Sequence, residues 1–181
     1  MAEAVERLPA DWLEDRDVVL VELADEWLWP PELQVEWFTA FVAADAHGVG
    51  DETIRSLAAA MLPHRCAHVT TWGPDCERVH HGFDSAYLDA APPKPDGILR
   101  WRTTWSKEIP FLMTSSTADE SLAEALWYAV YVAWPSGDGY HENRPADLVA
   151  LVQPQFRDEV RGLLLDPDRL ERETALEDEE G

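Results

Sequence analysis

The sequence predicts an α/β fold: one Rossmann-like three-layer domain over residues 1–165, with a mostly parallel sheet of about four strands and one extra strand or arm at its edge. Three observations carry this expectation. Short β-branched apolar runs alternate along the chain with amphipathic segments of helical period, and that alternation marks parallel strands joined by crossover helices. The 181 residues suffice for one well-buried core and are too few for two. The sequence also shows neither an internal repeat nor a composition break that would divide it.

Residues 18–23 (VVLVEL) form a β-branched run that reads as a buried strand. Pro30 and Pro31 suit the start of a helix, and Leu33, Trp37, Phe38, Phe41 and Val42 follow at helical spacing. Residues 47–50 (HGVG) end that segment. Ile54, Leu57, Ala58, Met61 and Leu62 recur at i, i+3, i+4, i+7 and i+8, an amphipathic helix that Pro63 closes. Cys66–Trp72 (CAHVTTW) reads as the second strand, ended by Gly73-Pro74. Residues 75–90 are helical, with Val79, Phe83, Ala86, Tyr87 and Ala90 on one stripe.

A Pro-rich loop (residues 91–97) precedes the expected edge strand or extended arm at residues 98–105. Residues 110–114 (PFLMT) read as the third strand. Thr117 and Glu120 then have capping-box spacing before a helix reaching about Ala133. A polar loop (residues 136–145), a fourth strand (148–152) and a last helix (155–165) follow. The final sixteen residues, 166–181, carry eight acids and read as a flexible acidic tail.

Fourteen Lys and Arg against 36 Asp and Glu leave a net charge of −22. Binding phosphates needs surplus cations, so this balance argues against nucleic acid and against an anionic membrane as partner. Only two of the basic residues are Lys (Lys94 and Lys107). Acid-rich, Lys-poor composition suits a charged solubilising surface or a GC-rich genome; a mimic of nucleic acid is the sharper alternative. The first seventeen residues are acidic and lack the apolar stretch of a secretory signal. The longest nearly apolar run, residues 122–134, is too short to span a bilayer and contains Glu124. With two cysteines, the expectation is a cytoplasmic protein with reduced thiols.

Ligands of open α/β sheets bind outside the carboxyl ends of the strands. Two such ends are polar: Thr70, Thr71, Gly73 and Asp75 after the second strand, and Thr114, Ser115, Ser116, Thr117, Asp119 and Glu120 after the third. If the strands are neighbours, these residues face one another across a crevice. Beside it, Glu77, His80 and Asp84 stand at i, i+3 and i+7, their directions within about 60° of one another. An imidazole flanked by carboxylates has its tautomer fixed and its protonated form stabilised, as a general base requires. The same spacing also suits a solvated helix edge on which His80 pairs with its acidic neighbours.

Cys76 falls in a first helical turn, where the helix dipole lowers a thiol's pKa, yet it shares the apolar stripe and so is expected to be buried. Cys66, His68, Cys76 and His80 suggest zinc by residue type. However, Cys66 begins its strand about 20 Å from the helix start, so no metal site is expected. Neither G-x-G-x-x-G nor G-x₄-G-K-[ST] occurs, which leaves no expected cofactor, and G-x-S-x-G is absent too. The helix after the third strand has two apolar faces. One is aliphatic; the other carries Trp127, Tyr131 and Trp134, and meets either the chain's own segments or a partner, a protein or a second copy of the chain.

Residues 70–84 (TTWGPDCERVHHGFD) and 113–135 (MTSSTADESLAEALWYAVYVAWP) resemble a family of uncharacterised bacterial α/β domains with a Gly-Pro-x-x-Glu-x-x-His motif. The matching positions are Gly73, Pro74, Glu77, His80, Asp119, Glu120 and Ser121. The family tends to carry His-Asp at His80-His81, and Trp-His at Ser115-Ser116. The resemblance implies a compact α/β bacterial domain and the same crevice, and no reaction. The expected function is therefore an interaction or regulatory module without catalysis. Alternatives are a small hydrolase-like enzyme acting on a nucleotide or other small polar substrate around His80, and the acidic mimic.

Overall fold

Residues 5–13, 16–90, 112–133 and 147–177 are described by the structure, a computed structural model. Among these residues, six strands run at Val5–Leu8 (β1), Asp17–Glu22 (β2), Phe38–Ala43 (β3), Cys66–Trp72 (β4), Met113–Ser116 (β5) and Asp147–Val152 (β6). Five α-helices are described with them, at Asp51–Met61 (α1), Cys76–Ala90 (α2), Leu122–Tyr131 (α3), Pro154–Leu165 (α4) and Pro167–Glu177 (α5). The sheet order is β1-β2-β6-β3-β4-β5. Only β1 is antiparallel to its neighbour.

The inner strands are apolar on both sides because helices cover both sides. Val19, Val21, Ala40, Val42, Val69, Val149 and Leu151 pack with Ile54, Leu57, Val79 and Phe83 of α1 and α2. Val18, Leu20, Phe41, Leu148 and Ala150 pack with α3, α4 and Leu170 of α5. The α/β class stands, with six strands in place of about four. Their order differs from the 3-2-1-4-5-6 of the dinucleotide-binding fold.

Three local expectations are corrected. The helix expected across Leu33, Trp37, Phe38, Phe41 and Val42 is instead a loop followed by β3. FTAFVA is apolar throughout and buried at every position, so it matches a helical period as readily as a central strand. Trp37, at φ 57°, interrupts any helix there. The cap of α3 is not Thr117-Glu120: the Ser121 hydroxyl accepts from Glu124 N (3.2 Å) while the Glu124 carboxylate accepts from Ser121 N (2.8 Å). Thr117 is buried, and its N–H and hydroxyl both donate to Thr71 O at 3.1 Å. Finally, the expected tail is helical over Pro167–Glu177. Leu170 is fully buried against the α3–α4 layer, so this stretch belongs to the domain. The expected arm at 98–105, the Pro-rich loop and the 136–145 loop lie outside the described residues.

The chain leaves β3 through α1 toward β4, and enters β6 from α3 on the other face, so the topological switch lies between β3 and β6. There Gln153 receives a bond from Asp45 N (2.7 Å), returns one to Asp45 O (3.2 Å), and donates its backbone N–H to Ala43 O (3.0 Å). The chain's own amide thus occupies the position where such sheets usually hold a ligand.

Candidate functional site

The turn into α2 positions the candidate residues. Gly73 has φ +106°, and a Cβ there would lie 2.4 Å from Ala44 O. Only glycine lets the end of β3 come this close to the end of β4. Asp75, at φ 62°, accepts from Arg78 Nε at 2.7 Å. Arg78 also donates to Asp51 Oδ1 (2.7 Å), Val49 O (2.8 Å) and Ala46 O. This one guanidinium clamps the β3–α1 loop to the start of α2.

Several expected crevice groups therefore have structural partners. Gly73 makes the close approach and Asp75 holds Arg78. Thr71 is buried, its hydroxyl shared between Cys76 O (3.1 Å) and Ser115 O (3.3 Å). Asp119 is exposed. Ser115 and Ser116 point to opposite faces of β5, as successive strand residues must. Ser116, half-buried, shares the α2 side with Thr114; Ser115 turns to the α3 side.

On the α2 side, His80 Nε2 lies 3.4 Å from Asp84 Oδ2, and Thr114 donates to Asp84 Oδ1 at 2.6 Å. The two imidazoles of His80 and His81 stack with centroids 5.3 Å apart. His80 and Asp84 are half-buried, whereas Glu77 is exposed; among the described residues the ion-pair partner of His80 is Asp84, not Glu77. Thr114, thirty residues from Asp84, belongs to the polar end of the third strand expected to face this helix, and its bond to Asp84 is what spacing along α2 does not show.

On the α3 side lies a buried chain that motif reading missed. His68 Nε2 is 3.0 Å from Ser115 Oγ, which is 3.3 Å from Thr70 Oγ1. His68 is 2 % exposed, and its Nδ1 has no hydrogen-bond partner among the described residues. With Ser115 donating to Thr70, the network assigns the ring proton to Nε2 and leaves Nδ1 a bare lone pair. Burial pushes His68 down to about 4, so the ring stays neutral. In this tautomer Nε2 donates to the serine and is not its base, and no carboxylate orients Nδ1 among the described residues, so the pair is a structural link and not a nucleophile with its base.

Both cysteines are buried and free. Burial raises the Cys76 thiol above its ordinary value, overriding the helix-terminus effect that would lower it. Cys66 is raised by burial as well. His68 and His80 lie on opposite sides of the sheet, so the four-residue zinc set is not assembled. Among the described residues the groups that are assembled are His80, His81 and Asp84, whose donor atoms all lie within 4.8 Å of one another. Of these, only His80 belongs to the zinc set weighed from the sequence.

On α3, Trp127 is half-buried and its ring stands 5.3 Å from that of Tyr131, which in turn is 6.1 Å from Trp12. Trp12 is tethered by its indole N–H to Leu164 O at 3.1 Å. The chain's own N-terminal segment, held to α4, thus covers part of this aromatic side, while Tyr131 keeps 36 % exposure and Val132 45 %. Trp134 lies outside the described residues.

A family model described as Domain of unknown function (DUF7684) matches residues 18–161, from β2 into α4. No curated protein matches the chain, and no solved structure does. Among the described residues no helix is long and apolar enough to cross a membrane.

Proposed function

The chain belongs to the DUF7684 family, of unknown function, and from its own residues we propose that it is a non-enzymatic interaction module that docks a cationic protein segment. The observation that carries this reading is the Trp12–Tyr131–Trp127 ridge, exposed at Tyr131 and Val132. Burial, and after it the charge of Glu171, raise the Tyr131 phenol, so an acid of α5 is near enough for its charge to act on the ring. Arginine stacks on such rings and pairs with such carboxylates. A net charge of −22 draws a basic partner and repels a second copy of the chain, so a protein partner is favoured over a homodimer. In this reading the module is a Rossmann-like cytoplasmic protein of a bacterium, its thiols reduced, and binds neither nucleic acid nor membrane.

Calorimetric titration with an arginine-rich peptide tests it. The expected result is binding that weakens with salt and falls about tenfold or more in Tyr131→Ala. Binding equal in the variant, or none at low salt, overturns the reading.

One observation favours a second reading, an enzyme acting on a small polar substrate. Thr114 fixes Asp84, and Asp84 faces His80, the order of groups that orients a general base. Hydrolysis of phosphate or carboxylate esters that disappears in His80→Gln would support it; the same activity in that variant would dismiss it.

A further inference from the structure

We propose that His80, His81 and Asp84 bind one divalent ion of the zinc class on the outer face of α2. Asp84 lies four residues from His80 and three from His81, so both pairs share one helical ridge. Their donor atoms gather within 4.8 Å. Two bonds of about 2.0–2.1 Å meeting at the tetrahedral angle set their donor atoms about 3.3–3.4 Å apart. His80 Nε2 and Asp84 Oδ2 stand at 3.4 Å. A direct charge-assisted hydrogen bond is shorter, about 2.7–2.9 Å, so the pair is spaced better for a shared ion than for each other.

The surroundings support the same assignment. Thr114 donates to Asp84 Oδ1 at 2.6 Å, which leaves Oδ2 directed at His80. Such outer partners orient metal-binding carboxylates. His81 is exposed, so its ring is free to turn toward the ion. Two imidazoles and one carboxylate favour borderline ions such as Zn²⁺ over Mg²⁺ or Ca²⁺, which take oxygen. Three protein donors leave a fourth position to water, the pattern of an open site. Both cysteines are buried and neither supplies nor competes for the ion. The proposal is independent of the docking reading, whose residues sit on the opposite side of the sheet.

Titration of the full chain with ZnCl₂ and with MgCl₂, followed by calorimetry and thermal unfolding, tests it. The expected result is one Zn²⁺ per chain with no Mg²⁺ response. Unfolding should rise by about 5–10 °C when free Zn²⁺ is about a hundredfold above Kd. His80→Ala and His81→Ala should each weaken binding tenfold or more, and Thr114→Val about tenfold through the unfixed carboxylate. His47→Ala is the control, because His47 and Asp45 form a separate exposed pair at 2.9 Å; affinity should not change there. Since His81 is exposed, its variant keeps the fold, which a matching unfolding curve without metal verifies. The proposal fails if Zn²⁺ does not bind, if Mg²⁺ competes equally, or if affinity is unchanged in His80→Ala and His81→Ala.

Discussion

Replacing Gly73 with alanine should be among the most damaging single-methyl additions this chain can receive. Two effects add. The first is backbone strain: φ +106° lies where a residue with a Cβ costs about 1–3 kcal/mol. The second is collision, since the new Cβ would stand 2.4 Å from Ala44 O, and overpacking of this kind costs about 1–3 kcal/mol more. The carbonyl has little room to withdraw. Ala44 N bonds Trp72 O at 3.1 Å and Ala46 N bonds Pro74 O at 3.0 Å, so moving it breaks the seam between β3 and β4. The sum is about 2–6 kcal/mol, or roughly 4–24 °C of unfolding temperature for a domain of this size. Gly48 is the matched control. Its φ is +81°, with nothing within 4 Å of a built Cβ, so Gly48→Ala should cost only the strain, about 1–3 kcal/mol. Equilibrium urea unfolding, read by tryptophan fluorescence, measures both. Equal losses within about 0.5 kcal/mol would show that the close approach contributes nothing beyond the dihedral, and the packing argument for this turn would fall.

Acid stability should report on His68. Its folded value of about 4 lies below the ordinary 6.5, so above pH 6.5 the ring is neutral in both states and contributes no pH dependence. As pH falls toward 4 the unfolded chain takes up a proton that the folded chain refuses, and stability drops by about 3 kcal/mol in total. Urea unfolding of wild type and His68→Gln at pH 7 and pH 4 should differ by that amount, and parallel losses would refute the assignment. Leu170→Ala should cost about 2–4 kcal/mol by the same measurement; a loss near zero would return α5 to the status of a tail. Ser121→Ala should cost about 1 kcal/mol as a lost cap, whereas Glu120→Gln should leave stability within about 0.5 kcal/mol. Arg16→Ala should cost about 3 kcal/mol or more. It removes a buried guanidinium bonded to Val130 O (3.0 Å) and Thr39 Oγ1 (2.5 Å), and takes from the Asp147 carboxyl, whose pKa burial raises, one of the two cations that oppose that rise.

What the chain order reveals depends on how far away each residue's partner lies. β4 was legible to the residue because its β-branched run is bounded on both sides, and α1 and α2 because their stripes repeat over three turns. β3 was not, since a strand covered on both faces has no period to betray it. β1 spans four residues, VERL, of mixed burial, too short for any pattern to stand out. α5 is an acidic helix anchored at Leu170, and composition hid the anchor. At the candidate site, spacing on α2 put His80 and Asp84 together because one helix turn joins them. It offered Glu77 as a second partner and left out His81; the polar end of the third strand supplied Thr114 on the facing side, though not its bond to Asp84.

The charge follows the same logic. Arg78 holds Asp51 and Asp75, Arg157 pairs with Glu6 and Glu22, Arg161 with Glu6, and Arg169 with Glu159 and Glu173. A planar guanidinium holds two acceptors at fixed angles where an ammonium holds a point, which gives a physical use to a chain that carries Arg in place of Lys. Four Arg thereby engage six different acids, Glu6 being shared by two of them. With 36 acids against 14 Lys and Arg, most carboxylates still have no cation to offset them, and that excess is what a basic partner or a bound cation would meet.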